Sequence, residues 1–215
     1  MKAYKQKKTW LNLTHLFLMS VTLSFILQSK STFSETITTN PKILIKTFHA
    51  ALLNSMINSK KVPTKNRYLN LKPIVHSTFH LKKMTEIASG HFWRLASKDE
   101  KKILFNEFSR LTVATYVAQF SNFSGEKFII TKEFLGPQKT TLIRTEIVRP
   151  KDKAIQLVYV LKEIKGKIGV IDILVHSGIS EIAKKRSEYR RLLKTKGIIG
   201  LTEALKLKTD ELLSP

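Results

Sequence analysis

The segment DILVHSGIS contains the side-chain types of a hydrolase triad: Asp172, His176 and either Ser177 or Ser180. In such a triad the His must lie within hydrogen-bond reach of the carboxylate, at about 3 Å. Along a strand that rises ~3.3 Å per residue, Asp172 and His176 share a face but lie roughly 13 Å apart. The chain also lacks the G-x-S-x-G motif of a nucleophile elbow. We therefore expect no catalytic residues here, but a strand-to-helix turn in which Ser177 or Ser180 caps the helix.

Two histidines have a spacing that could hold a metal ion. His76 and His80 are four residues apart, so both would lie on one face of a helix. No Glu follows His76 as it does in the H-E-x-x-H motif of zinc proteases, and two His on a basic amphipathic helix are more often surface residues. The chain has no Cys, no P-loop and no G-x-G-x-x-G motif. The sequence predicts no metal site and no cofactor.

Arg186 falls on or beside the apolar stripe of the helix that the segment ISEIAKKRSEYRRLL predicts. A charged side chain in that position usually pairs with a carboxylate or with backbone carbonyls, because an unpaired charge is costly to bury. We expect such a pair for Arg186, and an anionic ligand is the alternative partner.

The N-terminal residues have the pattern of a secretory signal peptide. MKAYKQKK is basic, the apolar core Leu16–Leu27 is shorter than the ~20 residues of a membrane span, and small residues flank Phe33. We expect cleavage to separate a signal peptide, residues 1–34, from a single domain, residues 35–215. An uncleaved membrane anchor is the alternative.

The formal charge of +22 predicts an anionic partner. Residues 1–34 contain no Asp or Glu and five basic residues, Lys2, Lys5, Lys7, Lys8 and Lys30. Their removal would leave a net charge of 22 − 5 = +17. Export from the cytoplasm argues against nucleic acid as the partner, and favours anionic lipid or an acidic protein surface.

Hydrophobic periodicity orders the domain as helices, then strands, then helices. Helical spacing covers residues 42–58 and 68–89, the second with Pro73 in its first turn and Gly90 as a C-terminal cap. A capping box at Ser97 and Glu100 then begins a long helix with a wide aromatic stripe that ends near Phe120. Such a helix is buried on more than one side or lines an apolar cavity.

The second half of the domain predicts a sheet followed by helices. Four segments rich in β-branched residues are separated by short turns, which favours an antiparallel meander over residues 126–134, 140–149, 154–164 and 167–175. Two further helices close the chain and are separated by Gly197. The predicted fold class is therefore α+β, with a four-stranded antiparallel sheet packed against N- and C-terminal helices.

Two parts of the sequence resemble the MlaC / toluene-tolerance family. The run GHFWRLASKDEKKILFNEFSRLTVATYVAQF resembles a family segment through Gly90, Trp93, Phe108, Leu111, Thr115 and Tyr116. The run IDILVHSGISEIAKKRSEYRRLLKTKGIIGLTEAL is similar to the family's C-terminal part through Asp172, Ile179, Ser180, Arg186, Ser187, Tyr189 and Gly197. The likeness covers about residues 40–211, and the segment ISEIAKKRSEY is most similar to the hopanoid-associated HpnM branch.

The resemblance implies a non-enzymatic periplasmic lipid carrier. Its fold would be a curved antiparallel sheet against helices, with an apolar cavity between them for the acyl chains. It would shuttle phospholipid, or a hopanoid-like lipid, between an inner-membrane ABC lipid transporter complex and an outer-membrane lipoprotein/porin complex. The sequence departs from the family at Ile168, where a Trp is common, and at His176-Ser177, which replace an acidic residue before the turn.

We expect the cavity to be lined by Phe79, Trp93, Phe108, Leu111, Tyr116, Phe120, Ile147, Tyr159 and Ile173. For each of these residues the alternative is simple core packing. At the level of function the main alternative is an exported, non-catalytic scaffold protein with a filled core on the same fold. An exported hydrolase with a site built from distant residues is a third hypothesis, and nucleic-acid binding would require that residues 1–34 are retained.

Overall fold

The computed structural model describes residues 40–176 and 178–214, so the predicted signal peptide and Ser177 lie outside the described residues. The helices are α1 Pro41–Ile57, α2 Thr64–Thr78, α3 Leu81–Ser89, α4 His91–Leu95, α5 Lys98–Gln119 and α6 Glu181–Leu213. The strands are β1 Lys127–Gly136, β2 Thr140–Arg149, β3 Asp152–Ile164, β4 Lys167–Val175 and β5 Ile179–Ser180. The element order confirms the predicted α+β class.

The strands form one antiparallel sheet in the order β1-β2-β3-β4-β5. Its first four strands are the predicted meander. The fifth was not predicted: it has only two residues, Ile179 and Ser180, which pair with Val175 and Leu174. A two-residue strand shows no alternation in sequence, so hydrophobic periodicity cannot reveal it.

The helices cover one face of the sheet, which we call the inner face. It includes Ile143, Tyr159 and Leu161, which are no more than 2% exposed. On the opposite face Val158 and Val160 are only half-buried. This asymmetry follows from the two-residue period of a strand, which sends alternate side chains to opposite faces. The inner face and the helices above it therefore enclose the core.

Local capping fixes where three helices begin. Asn40 accepts hydrogen bonds from two N–H groups of the first turn of α1, at 2.9 and 3.1 Å. At α5 the predicted capping box is present, because Ser97 and Glu100 each bond the other's backbone N–H. Ser180 Oγ accepts from the Ala183 N–H at 3.0 Å, so of the two predicted caps Ser180 performs this role at α6.

The predicted start of the second helix at Pro73 is wrong, because Pro73 lies inside α2. Its missing N–H frees the carbonyl of Leu69, but both residues are exposed and water can bond that carbonyl. The predicted helical segment 68–89 is instead interrupted at Phe79. There the His80 N–H donates to Val170 O at 2.9 Å and attaches the chain to β4.

The last helix, α6, is broken where the sequence predicts. Gly197 has φ +64° and ψ −164°, a backbone conformation that favours glycine and divides α6 into two helical parts. Both parts pack against the rest of the helical layer, with Leu193 and Leu201 almost fully buried. No helix within residues 40–176 and 178–214 is long and apolar enough to cross a membrane.

Gly90 caps α3 in a conformation, φ +60° and ψ −131°, that side-chain-bearing residues rarely adopt. A Cβ at this position would also lie only 3.2 Å from Arg186 Nε. Gly166 has φ +76° too, in the β3–β4 turn, but open space around it. We expect Gly90→Ala to lower the free energy of unfolding by about 3 kcal/mol and the control Gly166→Ala by about 1 kcal/mol. Equal losses in chemical denaturation would show that the contact with Arg186 adds nothing.

Candidate functional site

A cluster of aromatic rings fills the space between the inner face of the sheet and the helices. We call it the aromatic cluster, and its members are Phe48, His49, Phe79, Tyr116, Phe120, Phe128 and Tyr159. They come from α1, the break after α2, the C-terminal end of α5, β1 and β3. The sequence predicts an apolar, partly aromatic interior at this place, and four of the predicted cavity residues belong to the cluster.

Phe48 is the centre of the aromatic cluster and is fully buried. The centroid of its ring lies 5.1 Å from the ring centroids of both Phe79 and Tyr116, and 6.3 Å from that of Tyr159. Interplanar angles of 82–87° make all three contacts edge-to-face, an arrangement that aromatic quadrupoles favour. A single side chain of α1 therefore contacts α5, β3 and the segment that follows α2.

One polar pair lies inside this apolar interior. His49 Nε2 and Tyr159 Oη are 3.0 Å apart, and the His49 ring also stacks on Phe128 at 4.7 Å. Burial lowers the pKa of His49 to about 4, because the imidazolium form loses its hydration. Burial likewise raises the pKa of Tyr159. Both groups are therefore neutral at pH 7 and present a hydrogen-bonding but uncharged pair.

A cleft of about 480 Å³ opens between α1 and β1, beside this interior. We call it the α1–β1 cleft, and it is lined by Lys42, Lys46, His49, Ala50, Leu53, Phe128, Ile129 and Ile130. His49 and Phe128 belong to both the cleft and the aromatic cluster. The cleft thus combines two cations, an apolar wall and a floor made of the outermost rings of the cluster.

The predicted lining residues divide into three groups. Phe79, Tyr116, Phe120 and Tyr159 meet in the aromatic cluster. Ile147 and Ile173 are next to it on the inner face, since Ile147 pairs with Phe128 and Ile173 pairs with Tyr159 across neighbouring strands. Trp93, Phe108 and Leu111 lie outside the aromatic cluster, in the core and under α6.

Sequence reasoning missed Phe48, His49 and Phe128 as site residues. Phe48 was visible on the apolar stripe of the first helix, and Phe128 alternates with Ile130 in the first strand. What periodicity alone does not provide is the pairing of helix and strand, which decides whose apolar residues meet. His49 gave no sign in sequence, because a His beside an apolar stripe is equally compatible with the surface.

Leu111 lines a second cleft, of about 430 Å³, between α5 and the two parts of α6. We call it the α5–α6 groove. Its walls are mainly apolar side chains, among them Tyr189, Leu201, Ala204 and Leu205. No residue that lines this groove belongs to the aromatic cluster or lines the α1–β1 cleft.

Three of the residues that suggested chemistry in the sequence have structural partners. Asp172 accepts hydrogen bonds from Ser180 Oγ at 2.6 Å and from the backbone N–H of Ile182 at 3.1 Å, and so orders the start of α6. His80 Nε2 lies 3.0 and 3.1 Å from the carbonyls of Lys162 and Lys167. Among the described residues no group of three or more His, Asp or Glu could hold a metal ion.

The expected partner of Arg186, a carboxylate or a backbone carbonyl, is not found among the described residues. Within the described chain Arg186 has no salt bridge, and its guanidinium lies against Gly90 instead. It lines a shallow cleft together with Arg190 and Lys194, which follow it at four-residue intervals along α6. Arg186 can therefore lie next to the apolar stripe because Gly90 has no side chain to occupy the same space.

Comparison with models of protein families identifies the family of this chain. A model described as MlaC protein matches residues 46–207. The chain belongs to the MlaC family. No curated protein matches it in sequence at a significant level. A solved structure of similar fold is the phospholipid-binding protein from Ralstonia solanacearum in complex with a phospholipid. The two are 16% identical with a TM-score of 0.68, and the match covers 80% of this chain and 96% of that one. The closer likeness to the HpnM branch stays a prediction.

The buried His49 makes the stability of this MlaC-family chain depend on pH. Below pH 6.5 the unfolded chain protonates this His, whereas the folded chain does so only near pH 4. Stability is therefore fully present above pH 6.5 and is lost as the pH falls towards 4. We expect the wild type to lose about 3 kcal/mol more unfolding free energy than His49→Gln between pH 7 and pH 4.

Urea denaturation at several pH values measures this difference. His76 and His80 also have pKa values lowered by burial, but both proteins share them, so their contribution cancels. Parallel pH profiles for the wild type and His49→Gln would mean that His49 is hydrated in the folded chain.

Proposed function

We propose that this chain is a periplasmic lipid carrier that holds acyl chains between the inner face of its sheet and the helices, and loads them through the α1–β1 cleft. The observation that carries the proposal is the α1–β1 cleft itself, where cations border an opening whose floor is the aromatic cluster. Membership in the MlaC family supports it, as does the fold shared with a protein that was solved with a phospholipid.

Burial of acyl chains supplies enough binding energy without any catalytic group. Each buried CH₂ contributes about 0.8 kcal/mol, so even a partly inserted chain binds strongly. Because aromatic rings occupy the interior, loading requires some of them to turn aside. Phe128 is the ring best placed to move, since it is half-buried, borders the α1–β1 cleft and stacks on His49.

Charge around the α1–β1 cleft favours an anionic head group. Lys42 and Lys46 lie on its border, and residues 36–85 contain no Asp or Glu at all. A lipid phosphate at the mouth would therefore meet cations with no competing carboxylate from α1, α2 or the turn between them. The neutral pair of His49 and Tyr159 would offer hydrogen bonds to an ester group without the cost of burying a charge.

In this proposal the chain carries phospholipid, or a hopanoid-like lipid, between an inner-membrane ABC lipid transporter complex and an outer-membrane lipoprotein/porin complex. A predicted signal peptide, residues 1–34, would deliver it to the periplasm. The chain holds no nucleotide-binding motif, so the energy for directional transport would come from a partner. Nucleic acid is not a proposed partner.

Blocking the α1–β1 cleft tests which opening admits the lipid. Ala50 lines this cleft, and Ala204 lines the α5–α6 groove of similar volume. We expect Ala50→Trp to reduce loading with fluorescent phosphatidylglycerol from vesicles at least tenfold, because the indole fills the opening. Ala204→Trp, the matched control, should load like the wild type. The opposite result would move the lipid site to the α5–α6 groove.

Charge reversal tests the contact with the head group. Lys42→Glu with Lys46→Glu should weaken loading of phosphatidylglycerol roughly tenfold or more at low salt, since each Lys near an anionic lipid surface contributes about 1 kcal/mol. Loading of zwitterionic phosphatidylcholine should fall less. Lys82→Glu with Lys102→Glu changes the net charge equally at exposed sites away from the cleft, and should have little effect. Equal losses in both double variants would mean that net charge alone attracts the lipid.

The alternative is a non-catalytic scaffold on the same fold, and the tight packing of Phe48 and its neighbours is the observation that favours it. If the aromatic cluster does not open, no lipid enters and the wild type fails to load in both assays.

A further inference from the structure

The first part of α6, residues 181–196, has a one-sided distribution of charge. It contains seven basic and two acidic residues. Because residues three and four apart lie on the same side of a helix, Arg186, Arg190 and Lys194 form one row about 12 Å long. Lys184 and Arg191 lie beside this row, at three-residue steps from Arg190 and Lys194. All five side chains are exposed, and we call them the basic face of α6.

The two acidic residues of this part of α6 lie on its other side. Glu188 lines the α5–α6 groove together with Lys185 and Leu192. Glu181 is half-buried and precedes Lys185 by four residues, so it belongs to the side that faces the groove. The residues that separate the cations of the basic face include Ser187, which is small and exposed. The exposed side of this helix therefore presents cations and no carboxylate.

The charges of the basic face are not compensated within the fold. None of its five cations has a salt bridge in the described chain. The neighbouring helices supply no free carboxylate, since Glu86 of α3 pairs with Lys83 at 3.1 Å and residues 87–98 contain no Asp or Glu. Like charges four residues apart destabilise a helix, and the row contains two such pairs. A pattern that costs stability without a compensating contact is typical of a functional surface, here one for an anionic partner.

An exposed apolar side chain borders the basic face. The three cations of the row line a shallow cleft of about 250 Å³ together with His91 and Phe92 of α4. Leu95 follows His91 by four residues and Phe92 by three, so it lies on the same side of α4. This leucine is 78% exposed. Cations around an exposed apolar side chain are the combination with which proteins bind the interface of an anionic membrane.

We propose that the basic face of α6 and Leu95 dock the protein on an anionic membrane surface, with the cations among the lipid phosphates and Leu95 inserted between the head groups. An acidic protein would use the charges but not Leu95. Two basic faces would repel each other, so a second copy of this chain does not fit. The shallow cleft shares no lining residue with the α1–β1 cleft, so docking does not depend on what the aromatic cluster holds.

Co-flotation of the purified protein with phosphatidylglycerol vesicles at low salt tests the docking surface. Arg190→Gln with Lys194→Gln should weaken vesicle binding roughly thirtyfold, because each basic residue near such a surface contributes about fivefold. Lys65→Gln with Lys72→Gln is the matched control, since it removes two exposed charges of α2 that have no salt bridge in the described chain. It should bind like the wild type. The same loss in the control would overturn the proposal, because net charge alone would then hold the protein on the vesicle.

Leu95→Ser distinguishes a membrane from an acidic protein. It should weaken binding to phosphatidylglycerol vesicles roughly threefold or more, since a hydroxyl gains nothing from apolar surroundings, and it should leave binding to soluble polyglutamate unchanged. Leu207→Ser is the matched control, because Leu207 is 70% exposed on the part of α6 that follows Gly197. If Leu95→Ser binds vesicles like the wild type, while polyglutamate binding requires Arg190 and Lys194, the basic face serves an acidic protein and the membrane proposal is overturned.

Ala50→Trp separates docking from lipid carriage. It obstructs the α1–β1 cleft but leaves the basic face of α6 unchanged, so it should co-float with phosphatidylglycerol vesicles like the wild type. If Ala50→Trp loses vesicle binding while Arg190→Gln with Lys194→Gln retains it, the protein attaches through the α1–β1 cleft. That result would overturn the docking surface and leave the proposed lipid carriage intact. A wild type that docks through Arg190 and Lys194 but never loads lipid would support the docking surface alone.

Discussion

The burial of Phe48 between three other rings is the constraint on which the rest of the fold depends. Its edge-to-face contacts require α1 to lie against β3, α5 to turn Tyr116 inward and α2 to end before Phe79. If any one of these elements shifts, the ring loses a partner and apolar surface is exposed. The same requirement gives the interior its chemistry, since it gathers the rings of the aromatic cluster around the neutral, hydrogen-bonded pair of His49 and Tyr159.

A second property, the distribution of charge, follows from sequence rather than packing. Because residues 36–85 carry Lys and Arg but no Asp or Glu, the α1–β1 cleft has a positive border on the side formed by α1. The floor of that cleft is apolar, so positive charge and apolar surface lie side by side there.

Much of the fold could be predicted from the sequence, and the reason is that local patterns determine it. The capping box at Ser97, the break at Gly197 and the four strands follow from local backbone chemistry and periodicity. The candidate site was only partly predictable. Tyr116 and Tyr159 were chosen for their place on inward stripes, but the positions of Phe48 and His49 beside them arise from contacts between distant elements. The predicted helix start at Pro73 was wrong, because water can bond the exposed carbonyl that a proline leaves unpaired inside a helix.

The central claim is that the aromatic cluster opens to hold acyl chains. Native mass spectrometry of the protein purified from its own cells, with solvent extraction of the same sample, tests it most directly. The account predicts a stoichiometric adduct whose mass matches a lipid recovered in the extract. A single ligand-free mass that persists after incubation with phospholipid vesicles would contradict it, and the aromatic interior would then be a closed core that serves only the fold.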